Sequence, residues 1–561
     1  MPTRPGCGEN CAATEHRPGT SVDGPATDRR RRPSSGVDVP DEHSPCAGSL
    51  PRVPAKLEGK VATAPPRPSR TQPVAVSELA TTVDAHLTAP DRAHVQVGGV
   101  TLRAQHVRPG DLFAALPGTR VHGADFAAQA VANGAVAVLT DAAGAEKVHD
   151  VPVLVHPDPR GVLGRLASRV YGDPSAKLAV WGVTGTSGKT TTSYMIDSAL
   201  RAAGRATGLI GTVETRVAGD RLDSALTTPE APDLQALLAV MVECGTTDVA
   251  MEVSSHALRL GRVGGVGFAV GAFTNLSQDH LDFHPDMEDY FRTKAELFDG
   301  RARTEVVCVD GEWGPRLVTD HTVTVATTKP AHWTATDVTV SATGEQTFTA
   351  HGPDGVTLDV ALRLPGDFNI ANALLAVACL HSQGVPLDAV REGLRDVQVP
   401  GRMQRVDEGQ DFTAVVDYSH KPAAVALALD AVRARATGRV ITVLGCGGDR
   451  DTAKRPLMGE EAARRSDVLV VTDDNPRGED PALIRAAMLH GALAVPDDER
   501  GEIVEIGDRR RAIEHAVSLA RTGDVVVVAG KGHETGQEIA GVVHPFSDVD
   551  ALTDAIRGAT R

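Results

Sequence analysis

Short apolar runs alternate with longer amphipathic stretches over most of this chain, and that alternation predicts its elements. Leu178 to Val180 reads as a buried strand and Ser193 to Ala203 as an amphipathic helix closed by Gly204. Pro232 to Glu243 is helical, and strand-like runs follow at Thr247 to Val253 and Ala269 to Thr274. Val306 to Leu364 breaks into several short alternating strands before a helix at Ala371 to Leu380. The period is plainest further on. Strands are predicted at Ala414 to Tyr418, Val440 to Leu444, Val468 to Thr472, Glu502 to Ile506 and Val525 to Ala529. Helices at Ala423 to Ala434, Arg455 to Arg465, Pro481 to Leu489 and Asp508 to Arg521 fall between them. Such alternation implies mainly parallel sheets covered on both faces, with ligands at the carboxyl ends of the strands.

A smaller unit precedes these. Val95 to Val97 and Val100 to Leu102 alternate on either side of Gly98-Gly99, which reads as a hairpin. Arg108-Pro-Gly-Asp111 is a turn feeding a strand, Phe126 to Asn133 is helical, and Ala135 to Leu139 is a strand. The chain therefore reads as an α/β protein of three domains. A small α/β domain spans 76–170, a central P-loop domain with a parallel sheet spans 171–400, and a Rossmann-like domain spans 401–561. Residues 1–75 are rich in Pro, Gly, Ser, Thr and charge, including Arg29-Arg-Arg-Arg-Pro33, and read as a disordered extension.

Composition narrows the function classes. Hydrophobic residues make up 41% of the 561 residues, ordinary for a globular protein, and the net charge of −16 argues against general affinity for nucleic acid or anionic membranes. No apolar run is long enough to span a bilayer and no signal-peptide core is visible, so a cytoplasmic location is expected. The seven cysteines are scattered without a CxxC pair, which gives no sign of a zinc knot or a disulfide framework.

The chemistry lies where strands end. After Leu178 to Val180 comes a loop carrying Gly182, Gly185 and Gly188, then Lys189 and three threonines. Glycines let backbone N–H groups curl around an oxyanion, and the following helix start adds its positive dipole end. Lys189 is placed to reach terminal phosphates and Thr190 to hold Mg²⁺. Against the general P-loop pattern the first glycine is one position early, because Val183 stands where glycine is usual. Glu252, after the next strand, suits a Mg²⁺ opposite Thr190. The following strand delivers Thr274-Asn-Leu-Ser-Gln-Asp-His-Leu-Asp282, in which His280 suits a metal or phosphate and Asn275 a nucleotide. On the helix from Tyr290 to Phe298, an ammonium at Lys294 beside Mg²⁺ would be repelled, so spacing alone makes it exposed or phosphate-pairing. In the third domain Gly445 to Asp451, Asp473 to Arg477 and Gly530 to Glu534 each follow a strand. Together they set Arg450 and Arg477 against Asp474 and Glu534, a mixed-charge pocket suited to a zwitterion.

These motifs resemble the Mur ligase family. The resemblance rests on Thr184-Gly-Thr-Ser-Gly-Lys-Thr-Thr191, Glu252-Val-Ser-Ser-His256, Thr274 to Asp282 and Lys294-Ala-Glu-Leu-Phe298. It continues through Gly401-Arg-Met403, Asp417-Tyr-Ser-His420, Gly445 to Arg450 and Gly530-Lys-Gly-His-Glu534, in order from about residue 76 to the end. It implies an ATP-dependent, ADP-forming amide synthesis through an acyl phosphate, in peptidoglycan precursor assembly. Asp474-Asn-Pro-Arg477 is similar to the motif of members that add meso-diaminopimelate rather than lysine to UDP-N-acetylmuramoyl-L-alanyl-D-glutamate.

Residue by residue, the resemblance implies an ATP site of Gly185, Thr186, Ser187, Gly188, Lys189, Thr190, Thr191, Asn275, Arg402 and Asp417. Thr190 and Glu252 match the ligands of one Mg²⁺ and His280 those of a second, while Lys294 matches a carbamylated lysine that supplies an anionic oxygen ligand. Lys189, His280 and Lys294 are the expected catalytic residues. Thr227, Thr228, Ser254 and Arg262 match contacts to the UDP-sugar dipeptide; Arg450, Asp474, Asn475, Arg477, Gly530 and Glu534 match the diaminopimelate site. Leu260 stands where relatives can carry glutamine, and Leu102-Arg-Ala-Gln105 where many carry Asp-Ser-Arg. The expected partners are these small molecules, with no nucleic acid and no membrane insertion, and a monomeric chain. Other readings are a lysine-adding paralogue, a folylpolyglutamate-synthase-like ligase, and a nucleotide-binding regulator without catalysis.

Overall fold

The computed structural model describes residues 66–222, 226–341, 345–449 and 451–559, so most of the 1–75 extension and Arg450 lie outside the described residues. Three large sheets organise the rest, and in each the strand alternation read from the sequence sends successive side chains to opposite cores.

The first sheet has five strands in the order His86–Leu87, Val153–Val155, Ala137–Thr140, Asp111–Ala114, Gly99–Thr101, parallel except for the short edge strand at His86. The Gly98-Gly99 hairpin does not form. Gln96–Val97 pairs antiparallel with Val74–Ala75, whereas Gly99–Thr101 runs parallel to Asp111–Ala114. Both apolar halves of the expected hairpin are satisfied, but by different partners, and the glycine pair is a crossing between two sheets. The same pairing orders 66–75, which composition had assigned to the extension. Arg67 donates to both oxygens of Asp111 at 2.7 Å, and the Ser69 and Arg70 amides donate to Glu243 at 2.8 Å. A few directed bonds hold that segment despite its proline-rich sequence.

The central sheet has eleven strands. Its parallel middle runs Thr207–Ile210, Asp248–Glu252, Ala179–Thr184, Phe268–Phe273, Ala302–Cys308, Val323–Ala326, Trp333–Val340, with two antiparallel strands beyond it at each margin. Trp181, Val183 and Ala250 face one core together with the helices Lys189–Ala202 and Asp367–Ser382. Val180, Val249 and Met251 face the other with helix Ala231–Glu243. Helix Asp367–Ser382 is apolar nearly all round, and its burial on every side is the packing such a sequence requires.

The third sheet runs Gln404–Arg405, Thr413–Asp417, Val525–Ala529, Val440–Cys446, Val468–Asp473, Glu502–Glu505, parallel apart from the first strand. Val525 and Val527 point into one core and Val526 and Val528 into the other. Register places Asp417 and Leu444 on either side of Ala529, and Cys446 beside Asp473, so the carboxyl ends of four strands lie along one edge.

Two leucines separate packing from composition. Leu374 is 0% exposed in the central core and Leu483 is 66% exposed on helix Pro481–Ala494. Leu374→Ala is expected to lower the unfolding free energy by about 2–5 kcal/mol in denaturant titration. Leu483→Ala should stay within about 0.5 kcal/mol of the parent in the same titration.

Candidate active site

The glycine-rich loop leaves the middle of the central sheet, where Thr184, Glu252 and Phe273 end neighbouring strands. Gly185 and Gly188 have positive φ, and a Cβ on either would collide with Thr274 or Asn372 respectively. Gly188 caps helix Lys189–Ala202, so the first free N–H groups of that helix face the loop's concavity. The loop is braced from the adjacent strand end. The Ser187 amide donates to Asn275 Oδ1 at 3.1 Å, Asn275 Nδ2 donates to the Ser187 carbonyl at 3.1 Å, and the Thr186 amide donates to the Asn275 carbonyl at 2.9 Å. The side chain expected to meet nucleotide thus also fixes the glycine-rich loop expected to hold its phosphates.

Two lysines converge on one carbonyl. Lys189 Nζ donates to the carbonyls of Gly185 and Thr186, and Lys294 Nζ to that of Gly185, all at 2.9 Å. Burial pulls Lys189 down to about 8, with Glu252 opposing and Lys421 adding repulsion. Lys294 lies well below its usual range because it is buried and because Lys189 is close. It also sits 4.7 Å over the ring of Tyr290, whose hydroxyl is hydrogen-bonded to Thr186. Lys294 is not exposed, one of the two roles that spacing alone allowed it. The fold carries it into the loop's interior, where its amine is held towards the neutral form.

Glu252 gathers the other side. Its carboxylate accepts from Thr190 Oγ1 at 3.0 Å, from the Thr212 amide at 2.7 Å and from Thr212 Oγ1 at 3.0 Å. Thr212 is in turn hydrogen-bonded to Thr227 at 3.0 Å. Thr228 Oγ1 donates to the Glu252 carbonyl at 2.8 Å and accepts from the Ser254 amide, and Arg262 reaches the Thr228 carbonyl and the Glu230 carboxylate. The four residues expected at the sugar-dipeptide site therefore gather about Glu252, Thr227 through Thr212 and the carboxylate, the others through the Glu252 backbone carbonyl. Thr212 was missed in the sequence, although it stands just beyond the strand Thr207–Ile210, at the edge where Glu252 ends its own.

His280 bonds to Asp279 at 3.1 Å rather than to Thr190 or Glu252, and its ring meets His256 edge-on at 4.9 Å. Burial pushes it down to about 4. Asp279 also pairs with Lys421, a bridge from the central unit to the third. A second bridge comes from Arg402, which stacks 4.3 Å over Tyr418 and directs Nη2 at Thr190 Oγ1, 3.4 Å away. Asp417 already accepts from the amides of Met403 at 2.8 Å and Ser419 at 2.9 Å, so it shapes the Gly401-Arg-Met403 turn.

At the third sheet's carboxyl edge Asp474, Asn475 and Glu534 come together around a lysine absent from the sequence-derived set. Lys531 is fully buried; its Nζ donates to Asn475 Oδ1 and Glu534 Oε2 at 2.9 Å and stands 3.9 Å from Asp474. Asn475 Nδ2 donates to Glu534 at 2.8 Å. Gly530, at positive φ, brings the chain against Asp474. Arg477, also at positive φ, donates to the Gly448 carbonyl at 2.6 Å and faces Glu538 at 3.5 Å.

For a divalent cation, the Thr190 hydroxyl and Glu252 carboxylate are hard oxygen donors already side by side. Among the described residues no cluster of three or more His, Cys, Asp or Glu is present. Mg²⁺ is commonly held by one or two protein oxygens together with substrate phosphates, and this pair offers such oxygens.

Three family models match this chain in order. The Mur ligase family catalytic domain matches residues 96–171, the Mur ligase middle domain 183–380, and the Mur ligase glutamate ligase domain 401–532. The chain is 51% identical over 502 residues to the UDP-N-acetylmuramoyl-L-alanyl-D-glutamate–2,6-diaminopimelate ligase of Streptomyces coelicolor, covering 88% of this chain and 98% of the relative. It is 53% identical over 458 residues to the protein of the same name from Corynebacterium glutamicum, covering 79% and 89%. A solved structure of a ligase of that name superposes with a TM-score of 0.64 at 30% identity, covering 87% of this chain and 100% of that one. With similarity of that extent laid over the glycine loop, Glu252 and the third sheet's edge, the chain belongs to the Mur ligase family.

Proposed function

We propose that this protein joins meso-diaminopimelate to UDP-N-acetylmuramoyl-L-alanyl-D-glutamate at the expense of ATP, in the cytoplasmic assembly of peptidoglycan precursor. The observation that carries the reading is the continuity of the polar network. Glu252 links the glycine loop to the Thr212–Thr227 strip, while Arg402 at Thr190 and Lys421 at Asp279 tie the central unit to the third, whose carboxyl edge holds Asp474, Asn475 and Glu534. That arrangement supports a nucleotide, an acid and an amine being brought together.

The chemistry follows in two steps. A substrate carboxylate oxygen attacks the γ-phosphorus of ATP, and ADP leaves to give an acyl phosphate. The amine of the diamino acid then attacks the acyl carbon, phosphate departs, and the amine's proton is released. Positioning and charge neutralisation dominate the first step. The loop N–H groups and Lys189, swung from the Gly185 and Thr186 carbonyls onto the phosphates, serve that end. Asn275 and Arg402 flank the nucleotide and Asp417 holds the Gly401–Met403 turn in place. Thr190 and Glu252 would hold one Mg²⁺, and His280 with carbamylated Lys294 a second, and such ions would offset phosphate charge. Addition of carbon dioxide requires a neutral amine, and the burial of Lys294 favours that form. Thr227, Thr228, Ser254 and Arg262 orient the sugar dipeptide. Asp474, Asn475, Arg477, Gly530 and Glu534, together with Arg450, receive the zwitterionic acceptor.

The first-domain match at 96–171 and Asp474-Asn-Pro-Arg477 support this reading over a folylpolyglutamate-synthase-like ligase. ADP and phosphate should appear only when the UDP-sugar dipeptide and meso-diaminopimelate are both present, in a coupled ADP assay. Equal turnover with L-lysine would overturn the acceptor assignment and leave the family intact. In the same assay Glu252→Gln and Lys294→Ala should each lower kcat by about 100-fold or more while the thermal transition persists, and chelation of divalent cations should abolish turnover until Mg²⁺ is restored. Full activity in Lys294→Ala would remove that lysine from the metal site.

A further inference from the structure

The third domain contains a fully buried ion pair that the reaction does not use. Arg509 opens helix Arg509–Leu519 and Asp548 opens helix Asp548–Ala559, and both side chains are 0% exposed. Arg509 Nε donates to Asp548 Oδ1 at 2.7 Å and Nη2 to Oδ2 at 2.8 Å. A buried pair of this kind adds little net stability over an apolar pair of the same volume, so stability alone does not account for it. The rest of the guanidinium is informative. Nη2 also donates to the Ala529 carbonyl at 2.8 Å, and Nη1 to the Asp473 carbonyl at 3.4 Å.

Those carbonyls belong to the last residues of strands Val525–Ala529 and Val468–Asp473. The next residues are Gly530, which starts the turn bearing Lys531 and Glu534, and Asp474, which starts Asp474-Asn-Pro-Arg477. The two strands are not neighbours; Val440–Cys446 lies between them. No ladder hydrogen bond therefore sets the distance between the two strand ends; the loops above them meet through Lys531, Asn475 and Glu534, and from beneath a rigid, planar fork reaches both carbonyls. Its charge also reaches Asp474 and Glu534, whose negative fields, after that of Asp548, hold Arg509 protonated against the cost of burial.

We infer that Arg509, clamped by Asp548, is a positioning residue for the amino-acid acceptor: by gripping the Ala529 and Asp473 carbonyls it sets the spacing of the Asp474–Asn475 and Lys531–Glu534 loops. The inference rests on the diaminopimelate reading of that edge. Lysine at 509 keeps a cation beside Asp548 but lacks the fork that spans both carbonyls.

The experiment measures separate KM values for ATP, UDP-sugar dipeptide and meso-diaminopimelate in the full chain and its variants. Arg509→Lys should raise KM for the diamino acid about tenfold and leave the other two within about twofold. Leu552→Ala, which removes a fully buried side chain from the Asp548 helix without touching the fork, should lower the melting temperature and leave all three KM values near the parent's. An unchanged diamino-acid KM in Arg509→Lys, or an equal rise in Leu552→Ala, overturns the inference. If Arg509→Lys yields no folded protein, Arg509→Met combined with Asp548→Leu removes both charges together and is read the same way. A parent chain that rejects meso-diaminopimelate defeats the substrate reading instead, and the comparison is then decided with the acceptor it does use.

Discussion

The arrangement of the active face depends on one buried carboxylate. Glu252 is 1% exposed, and an ionised carboxyl in such a place costs several kcal/mol unless donors surround it. Thr190 and Thr212 supply three hydrogen bonds from two different elements, so the helix after the phosphate loop and the turn after Thr207–Ile210 are drawn to a single point. Thr227 is attached to that point through Thr212. The proposed sites for nucleotide and for the acid substrate consequently share one anchor, which suits a reaction whose first bond joins them.

Across the loop from Glu252 the same physics acts with opposite sign. Lys189 and Lys294 are desolvated on a common carbonyl, and the cost of two nearby cations is relieved by lowering the proton affinity of the more enclosed one. The third sheet adds another enclosed cation, Lys531, but there three side chains, Asp474, Asn475 and Glu534, compensate it. Lys294 is pushed towards its neutral form, whereas Lys531 is enclosed by hydrogen-bond acceptors. The difference lies in the neighbours, not in the residue type.

Much of the fold was legible because each strand's period of two and each helix's longer period are local properties. Every strand expected from Ala414 to Ala529 is present within a residue or two of its expected ends. The hairpin at Gly98-Gly99 failed for the converse reason. Alternation says that a segment has an apolar face, and it is silent on which partner covers it; here two sheets divide the segment between them. Residues 66–75 were misjudged because composition averages over a segment, whereas Arg67 acts through a single carboxylate. Thr212 and Lys531 carried usable signals, a polar residue at a strand end and a lysine inside a quoted motif. Arg509 and Asp548 carried none, since each is an ordinary charged residue at the start of a helix.

The sequence by itself determined the three-part α/β plan, the glycine loop and the identity of the strand-end clusters, because glycine conformation, side-chain alternation and motif order are encoded along the chain. Only the tertiary structure decided which of those groups touch. It put Lys294 on the Gly185 carbonyl, His280 on Asp279, Asp417 on its own turn, and Arg509 under two strands that are not adjacent. Contacts of that kind are made by sheet order and burial, and desolvation then sets the charge each group carries. Neither can be read from residues one at a time.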